Sequence, residues 1–193
     1  MQDLHYLLFL IGIIIYIFLY INHKNAVYIR AASGKRYLIY RDNIKTEKVE
    51  LLDNIVNNMF ILKNHLVNNI SSFPDYHLYI LQLNQYFNEN RTTIYETDPK
   101  SNHTSYSVNK GEELSFCLKS KNTGSVHNIN LLMYVALHEM AHIACPEIDH
   151  TELFKRIFKL FVSEAIKIGI YNKINFANNP TEYCGMTLKS SII

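Results

Sequence analysis

A chain of 193 residues with 48% hydrophobic content can bury one core and carry one appended segment. Its formal net charge of +2 says little about partners, and without a dense basic patch a nucleic-acid partner is not indicated. The three cysteines, Cys117, Cys145 and Cys184, have no C-x-x-C spacing, which argues against a disulfide framework and for a reducing compartment. We expect three small buried hydrophobes, with Cys145 or Cys184 as a metal ligand left as an alternative.

The first predicted element is the uncharged apolar run from Leu4 to Ile21. As a helix it reaches about 27 Å, enough for a membrane span. The run is followed by basic residues at Lys24, Arg30, Lys35 and Arg36. The positive-inside rule then places the following domain on the cytoplasmic side. A virion membrane or a host internal membrane is the alternative location of the anchor. We expect a single-pass anchor over residues 1–23 and one domain over residues 24–193.

A cleaved signal peptide is the alternative for this segment. It is disfavoured because no Lys or Arg precedes the run and no small-x-small site follows it closely. Three N-x-S/T sequons, at Asn69, Asn90 and Asn102, offer a test of the orientation, since they would be glycosylated if the domain faced a lumen.

The middle of the chain predicts a scaffold. Two β-rich segments, Val27 to Ala31 and Arg36 to Arg41, flank Ser33-Gly34 and predict a hairpin. Apolar residues at three- and four-residue spacing predict helices over residues 43–69 and 75–88. Thr92 to Glu96 is typical of a strand.

A further strand is predicted after Gly111, where Leu114, Phe116 and Leu118 alternate with less apolar residues. It precedes the most informative helix of the chain. Two interpretations stay open: a sheet edge that pairs with an extended substrate peptide, or a strand that only packs against that helix.

That helix contains the motif H-E-x-x-H at His138, Glu139 and His142. Residues four apart share a helical face, so the two histidines can hold one metal ion. Glu139, about 100° round the helix, suits a base that takes a proton from metal-bound water. The alternative is two core histidines beside a surface glutamate. Pro146 ends the helix and moves Cys145 out of helical geometry.

A catalytic zinc takes three protein ligands and leaves one position for water. The candidates for the third ligand are Glu147, Asp149, His150, Glu152 and Glu164. Asp149 and Glu152 resemble a capping box that opens a helix, which places His150 in its first turn, where a neutral imidazole is favoured. We favour His150, and Glu164 on the same helix is the rival.

Tyr183, in the stretch E-Y-C-G, is a candidate near the C-terminus. A phenol there could donate a hydrogen bond to the oxyanion that forms during peptide hydrolysis. The alternative is a buried tyrosine that packs and bonds locally, which the 14 tyrosines of the chain make common.

The run L-H-E-M-A-H, followed by a third histidine in D-H-T-E-L-F, resembles the zincin metallopeptidases of the WLM and SprT-like group, whose eukaryotic members are associated with degrading proteins crosslinked to DNA. Two further stretches, T-S-Y-S-V-N-K-G at Thr104 to Gly111 and N-P-T-E-Y-C-G-M at Asn179 to Met186, look like metallopeptidase-like proteins of large DNA viruses and algae. The likeness covers about residues 25 to 190. It implies an α+β fold in which a small mixed sheet packs on the metal helix.

The chain departs from one zincin pattern. His150 follows His142 by eight positions, whereas the metzincin motif needs six and a glycine. Met186 is therefore not identified as a Met-turn. The DNA-related role is not carried over, because the chain lacks a dense basic patch and is expected to be anchored in a membrane.

Two classes of function remain. The favoured one is a membrane-anchored zinc peptidase in which His138, His142 and His150 bind Zn²⁺, Glu139 is the base and the substrate is a protein or peptide. The other is a membrane-tethered interaction module with a structural or vestigial zinc site. A structural zinc is closed by four protein ligands, so an open position distinguishes the two. The oligomeric state is not readable.

Overall fold

The computed structural model describes the chain from residue 2 to residue 193, apart from the side chains of residues 2, 3 and 21–24. It is a mixed α+β fold. The helices are α1 Gln2–Lys24, α2 Lys45–Asn68, α3 His77–Tyr86, α4 Ile129–Ala144 and α5 Glu152–Lys167. The strands are β1 Ala26–Arg30, β2 Arg36–Tyr40, β3 Thr93–Glu96, β4 Tyr106–Val108, β5 Glu113–Phe116, β6 Thr181–Tyr183 and β7 Met186–Leu188.

Five of these strands form one mixed sheet in the order β1-β2-β3-β5-β4. The predicted hairpin is confirmed as the antiparallel pair β1–β2, while β3 runs parallel to both β2 and β5. The strand predicted after Gly111 is β5, and it lies between β3 and β4 rather than at an edge. The edge interpretation of that strand is therefore wrong, and the edge position belongs to β4. Strands β6 and β7 form a separate antiparallel hairpin.

Helix α4 lies at the centre of the fold and packs against α2, α3 and α5. Asn128 caps its N-terminus by accepting a hydrogen bond from the Asn130 N–H. Its end is as predicted, because Cys145 takes an extended conformation directly before Pro146. From residue 131 to residue 144, every side chain is buried except His138 and His142, which are half-buried. In a helix otherwise enclosed by core, these two histidines mark the face that opens to solvent.

The prediction of a single-pass membrane protein is wrong. Within the part of the chain that the structure describes, no helix combines the length and the apolar character needed to cross a membrane. The localisation that rested on residues 4–21 as an anchor is overturned with it.

The three cysteines are buried as predicted, but the expectation that none forms a disulfide is wrong. A disulfide joins Cys117 to Cys184, with a Cα–Cα distance of 6.1 Å and a sequence separation of 67 residues. It ties the end of β5 to the β6–β7 hairpin. Cys145 is free and buried, as expected of a small core side chain. Close C-x-x-C spacing does not reveal this pair, because the two cysteines are distant in sequence and are brought together by the tertiary fold.

Candidate metal centre

Three histidines converge at the open face of α4. His138 and His142 stand one turn apart on the helix, and His150 comes from the loop between α4 and α5. The Nε2 atoms form a near-equilateral triangle, with distances of 3.1 Å for His138–His142, 3.2 Å for His142–His150 and 3.0 Å for His138–His150. Among the described residues, these three histidines form a group whose ligand atoms are close enough together to hold one metal ion.

The triangle has the dimensions of a zinc site. Two nitrogens bound to one tetrahedral zinc at about 2.0–2.1 Å lie about 3.3 Å apart, close to the separations between these Nε2 atoms. In a neutral imidazole, each Nε2 either carries a proton or offers a lone pair. Among three such atoms at least two are alike, so hydrogen bonding alone leaves one unfavourable contact. A cation that accepts three lone pairs removes this conflict, and the donor set fits zinc.

The surroundings keep two of these imidazoles neutral. Burial, with the neighbouring histidines, lowers the pKa of His138 to about 3. Burial also lowers the pKa of His142 to about 4, helped by electrostatic interactions with His150 and Lys110 and opposed by Asp149. Phe154 of α5 contributes an apolar wall, and its ring stacks on His142 with 4.2 Å between centroids. Sequence reasoning did not identify Phe154 as part of the site.

Glu139 lies beside the triangle. Its side chain is only 5% exposed, yet it lines the same cavity as the three histidines. Burial raises the pKa of its carboxyl group to about 8. A nearby cation favours the carboxylate form, so a bound metal would offset this shift. Glu139 is therefore placed to exchange a proton inside the cavity.

The cavity has a volume of about 780 Å³. Besides α4, three segments line it: residues 104–107, 109 and 110 around the edge strand β4, residues 147–150 of the α4–α5 loop, and the β6–β7 hairpin. The hairpin contributes Tyr183, Met186 and Leu188. The hairpin is fixed on one side by the Cys117–Cys184 disulfide and on the other by His127, whose Nε2 accepts a hydrogen bond of 3.3 Å from the Cys184 N–H.

Tyr183 is 2% exposed and lines the cavity together with Glu139. Its hydroxyl hydrogen-bonds the Ser105 hydroxyl, which accepts a second bond of 3.1 Å from the Cys117 N–H. Burial raises the pKa of Tyr183, so the phenol stays protonated and can donate. Tyr183 thus has the local hydrogen-bond partner expected of a packed tyrosine and the position on the cavity wall expected of an oxyanion donor.

The rival ligand Glu164 lies elsewhere. Its carboxylate is 2.7 Å from His65 Nε2 of α2 and 3.4 Å from Lys167 Nζ, and it is not part of the cavity lining. Cys145 is buried and is not part of the histidine group. Cys184 forms the disulfide with Cys117, so its sulfur is not available as a metal ligand. His150 is the third member of the cluster.

The predicted capping box is wrong. Thr151, rather than Asp149, caps α5, and its hydroxyl accepts a hydrogen bond of 3.3 Å from the Phe154 N–H. Asp149 instead adopts a left-handed backbone with φ of 68°. His150 therefore lies in the bend that precedes the helix, with its ring against His138 and His142 of α4.

No family model matches the chain. Among solved structures, the chain is similar to Wss1 from Saccharomyces cerevisiae at 18% identity and a TM-score of 0.38, over 48% of this chain and 71% of that one. A score at this level does not establish a common fold. Among protein sequences the similarity is to viral proteins, as the resemblance implied.

Uncharacterized protein 136R of Invertebrate iridescent virus 6 is 34% identical over 98 residues, which cover 49% of this chain and 53% of the viral protein. The likeness to a mimivirus protein is more extensive, at 40% identity over 171 residues, 88% of this chain and 86% of that protein. The chain therefore belongs to the same family as uncharacterized protein R325 of Acanthamoeba polyphaga mimivirus.

Proposed function

We propose that this protein is a zinc-dependent, zincin-like peptidase of the HExxH type. The observation that supports it best is the Nε2 triangle of His138, His142 and His150 beside the buried carboxyl of Glu139, inside a cavity of about 780 Å³. The three-histidine donor set with one position open for water is that of a catalytic rather than a structural zinc. A structural zinc would need a fourth protein ligand, and the described residues offer three.

Zinc bound to these histidines would supply a water of lowered pKa and polarise the substrate carbonyl. The other roles in the reaction belong to side chains of the protein. Glu139 takes the proton of the attacking water and returns it to the leaving amine. The half-buried imidazoles, packed against Phe154, are held in orientation before substrate arrives. Tyr183 lies on the cavity wall with a protonated hydroxyl, where it can donate to the developing oxyanion.

An extended peptide is the substrate that this cavity suits. Strand β4 is the sheet edge beside α4, and its residues Tyr106 and Ser107 line the cavity. A peptide that adds to this edge as a further strand would gain main-chain hydrogen bonds and run across the histidine cluster. Strand β4, rather than β5, is thus the edge that would receive the peptide; pairing with β5 was one of the two interpretations that the sequence left open.

The test uses the full chain. We expect about one zinc per chain, lost in His138→Ala and in His142→Ala. Glu139→Gln should keep the zinc while turnover of a peptide substrate falls by about 10²- to 10⁴-fold. Glu164→Gln is the matched control, since this glutamate pairs with His65 away from the cavity and should change neither quantity.

Two outcomes would refute the proposal. Full zinc retention in both histidine variants would remove the metal site. A zinc-loaded chain that cleaves nothing in a proteome-derived peptide library would make the metal structural and the chain an interaction module.

A further inference from the structure

We propose that Lys110 is a positioning residue for the third metal ligand. This inference rests on the proposed zinc site. The Lys110 ammonium donates to three backbone carbonyl oxygens: His142 at 3.4 Å, Cys145 at 2.5 Å and Glu147 at 3.1 Å. These carbonyls lie on both sides of the point where α4 ends. One side chain therefore ties the metal helix to the loop that delivers His150.

The end of α4 has a specific need for this donor. In a continuing helix the His142 carbonyl would accept from the N–H of residue 146, but residue 146 is proline and has none. The Cys145 carbonyl follows the last helical turn and has left helical geometry. The last carbonyls of a helix lack intrahelical partners and attract cations. Lys110 supplies the missing donor and places a positive charge at this helix end.

Lys110 is itself rigidly held. It lies in the turn between β4 and β5, where Asn109, Lys110 and Gly111 all have left-handed backbones, with φ of 46°, 54° and 87°. The Arg91 guanidinium secures the turn by donating to the carbonyls of Asn109 at 2.6 Å and Lys110 at 2.9 Å. Left-handed non-glycine residues are strained and persist where the surroundings enforce them.

Gly111 fixes the distance between this turn and α4. A Cβ on Gly111 would lie 2.7 Å from the Ile143 Cδ1, so the turn sits directly against the metal helix. Lys110 also lines the cavity next to β4. The same turn thus follows strand β4, the candidate substrate strand, and contacts the loop that carries His150. We infer that Lys110 sets the position of His150 relative to the His138–His142 pair.

A lysine that only stabilises the fold would behave differently from one that positions a ligand. Loss of a purely structural contact lowers the melting temperatures of metal-free and zinc-loaded chains alike. Loss of a positioning contact weakens zinc binding, so it reduces the extra stability that zinc confers. Removal of groups that orient metal ligands weakens metal affinity by about 10- to 100-fold. A 10-fold loss corresponds to about 1.4 kcal/mol of zinc-dependent stabilisation.

The experiment measures zinc affinity by competition with a chelating indicator, and the visible spectrum of the Co²⁺-substituted full chain. In Lys110→Met we expect at least 10-fold weaker zinc binding and an altered Co²⁺ spectrum, with partial recovery in Lys110→Arg. Lys121→Met is the matched control, because Lys121 also donates to two loop carbonyls, Ser101 at 2.7 Å and His103 at 3.1 Å. It should bind zinc like the parent chain.

Unchanged zinc affinity and Co²⁺ spectrum in Lys110→Met would overturn the inference while leaving the metal site intact. Should that variant fail to fold, Lys110→Gln, which keeps two N–H donors without the charge, is judged by the same two measurements. A parent chain that binds no zinc would refute the proposed function itself, so the two failures are distinguishable.

Discussion

Removing the Cys117–Cys184 disulfide should destabilise the protein substantially. The bond closes a loop with a sequence separation of 67 residues. In the chain-entropy model, a crosslink over a loop of this length lowers the entropy of the unfolded state by about 15 cal/mol/K, or about 4 kcal/mol at 25 °C. For a domain of this size, each kcal/mol shifts the melting temperature by about 2–4 °C. We therefore expect the double variant Cys117→Ser, Cys184→Ser to melt roughly 8–16 °C below the oxidised parent.

Differential scanning calorimetry of the oxidised parent, the reduced parent and the double variant provides the measurement. The reductant should lower the melting temperature of the parent and leave that of the double variant unchanged, which controls for effects through Cys145. A thiol titration under denaturing, non-reducing conditions should find one free thiol per chain, because two of the three cysteines are paired. Three free thiols, or a double variant that melts within about 2 °C of the oxidised parent, would refute the reasoning.

Three further predictions concern the site and its support. Tyr183→Phe should lower kcat by about 10²-fold at unchanged zinc content if the phenol is an oxyanion donor, whereas the parental rate with altered stability would assign it to packing. Gly111→Ala should lose about 1–3 kcal/mol more stability in denaturant unfolding than Gly124→Ala, since both have positive φ but only Gly111 meets a neighbour; equal losses would contradict this. The metal-free chain should lose stability as the pH falls from about 6.5 towards about 4, because the lowered pKa values of His138 and His142 mean that these two groups bind fewer protons in the folded state than in the unfolded one. Together they outweigh Glu139, whose raised pKa acts in the opposite direction. Melting temperatures of EDTA-treated protein from pH 7 to pH 4 check this, and a flat profile would count against it.

The sequence predicted those parts of the molecule whose signal is local. The end of α4 followed from the chemistry of Pro146, which can neither donate a hydrogen bond nor leave its predecessor helical. The β1–β2 hairpin followed from a turn at Ser33-Gly34 between β-rich segments. The placement of His138 and His142 on one face needs only the helical period. In each case a few neighbouring residues determine the result.

The features that were missed depend on contacts between distant segments. Strands β4, β6 and β7 have three residues each, too few for an alternating pattern to be recognised. Lys48 shows the same limit for charge. It lies in an amphipathic helix, where a lysine normally faces water, yet it is fully buried and 2.8 Å from Glu96, a residue 48 positions later. Burial of a lysine becomes predictable only when its carboxylate partner is known to be adjacent.

The loop between the second and third histidines shows how an unfamiliar spacing can still give a compact site. In the six-residue metzincin spacing, a glycine lets the chain reverse directly after the helix. Here the reversal takes eight residues: Pro146 stops α4, and Asp149 takes the left-handed conformation that glycine would otherwise supply. Aspartate tolerates that conformation better than most side chains. The longer loop has more freedom to lose, and the three carbonyl contacts of Lys110 restrict it. A ligand spacing longer than that of a known motif therefore calls for a contact that restricts the longer loop. Here Lys110, in the turn that follows strand β4, supplies that contact.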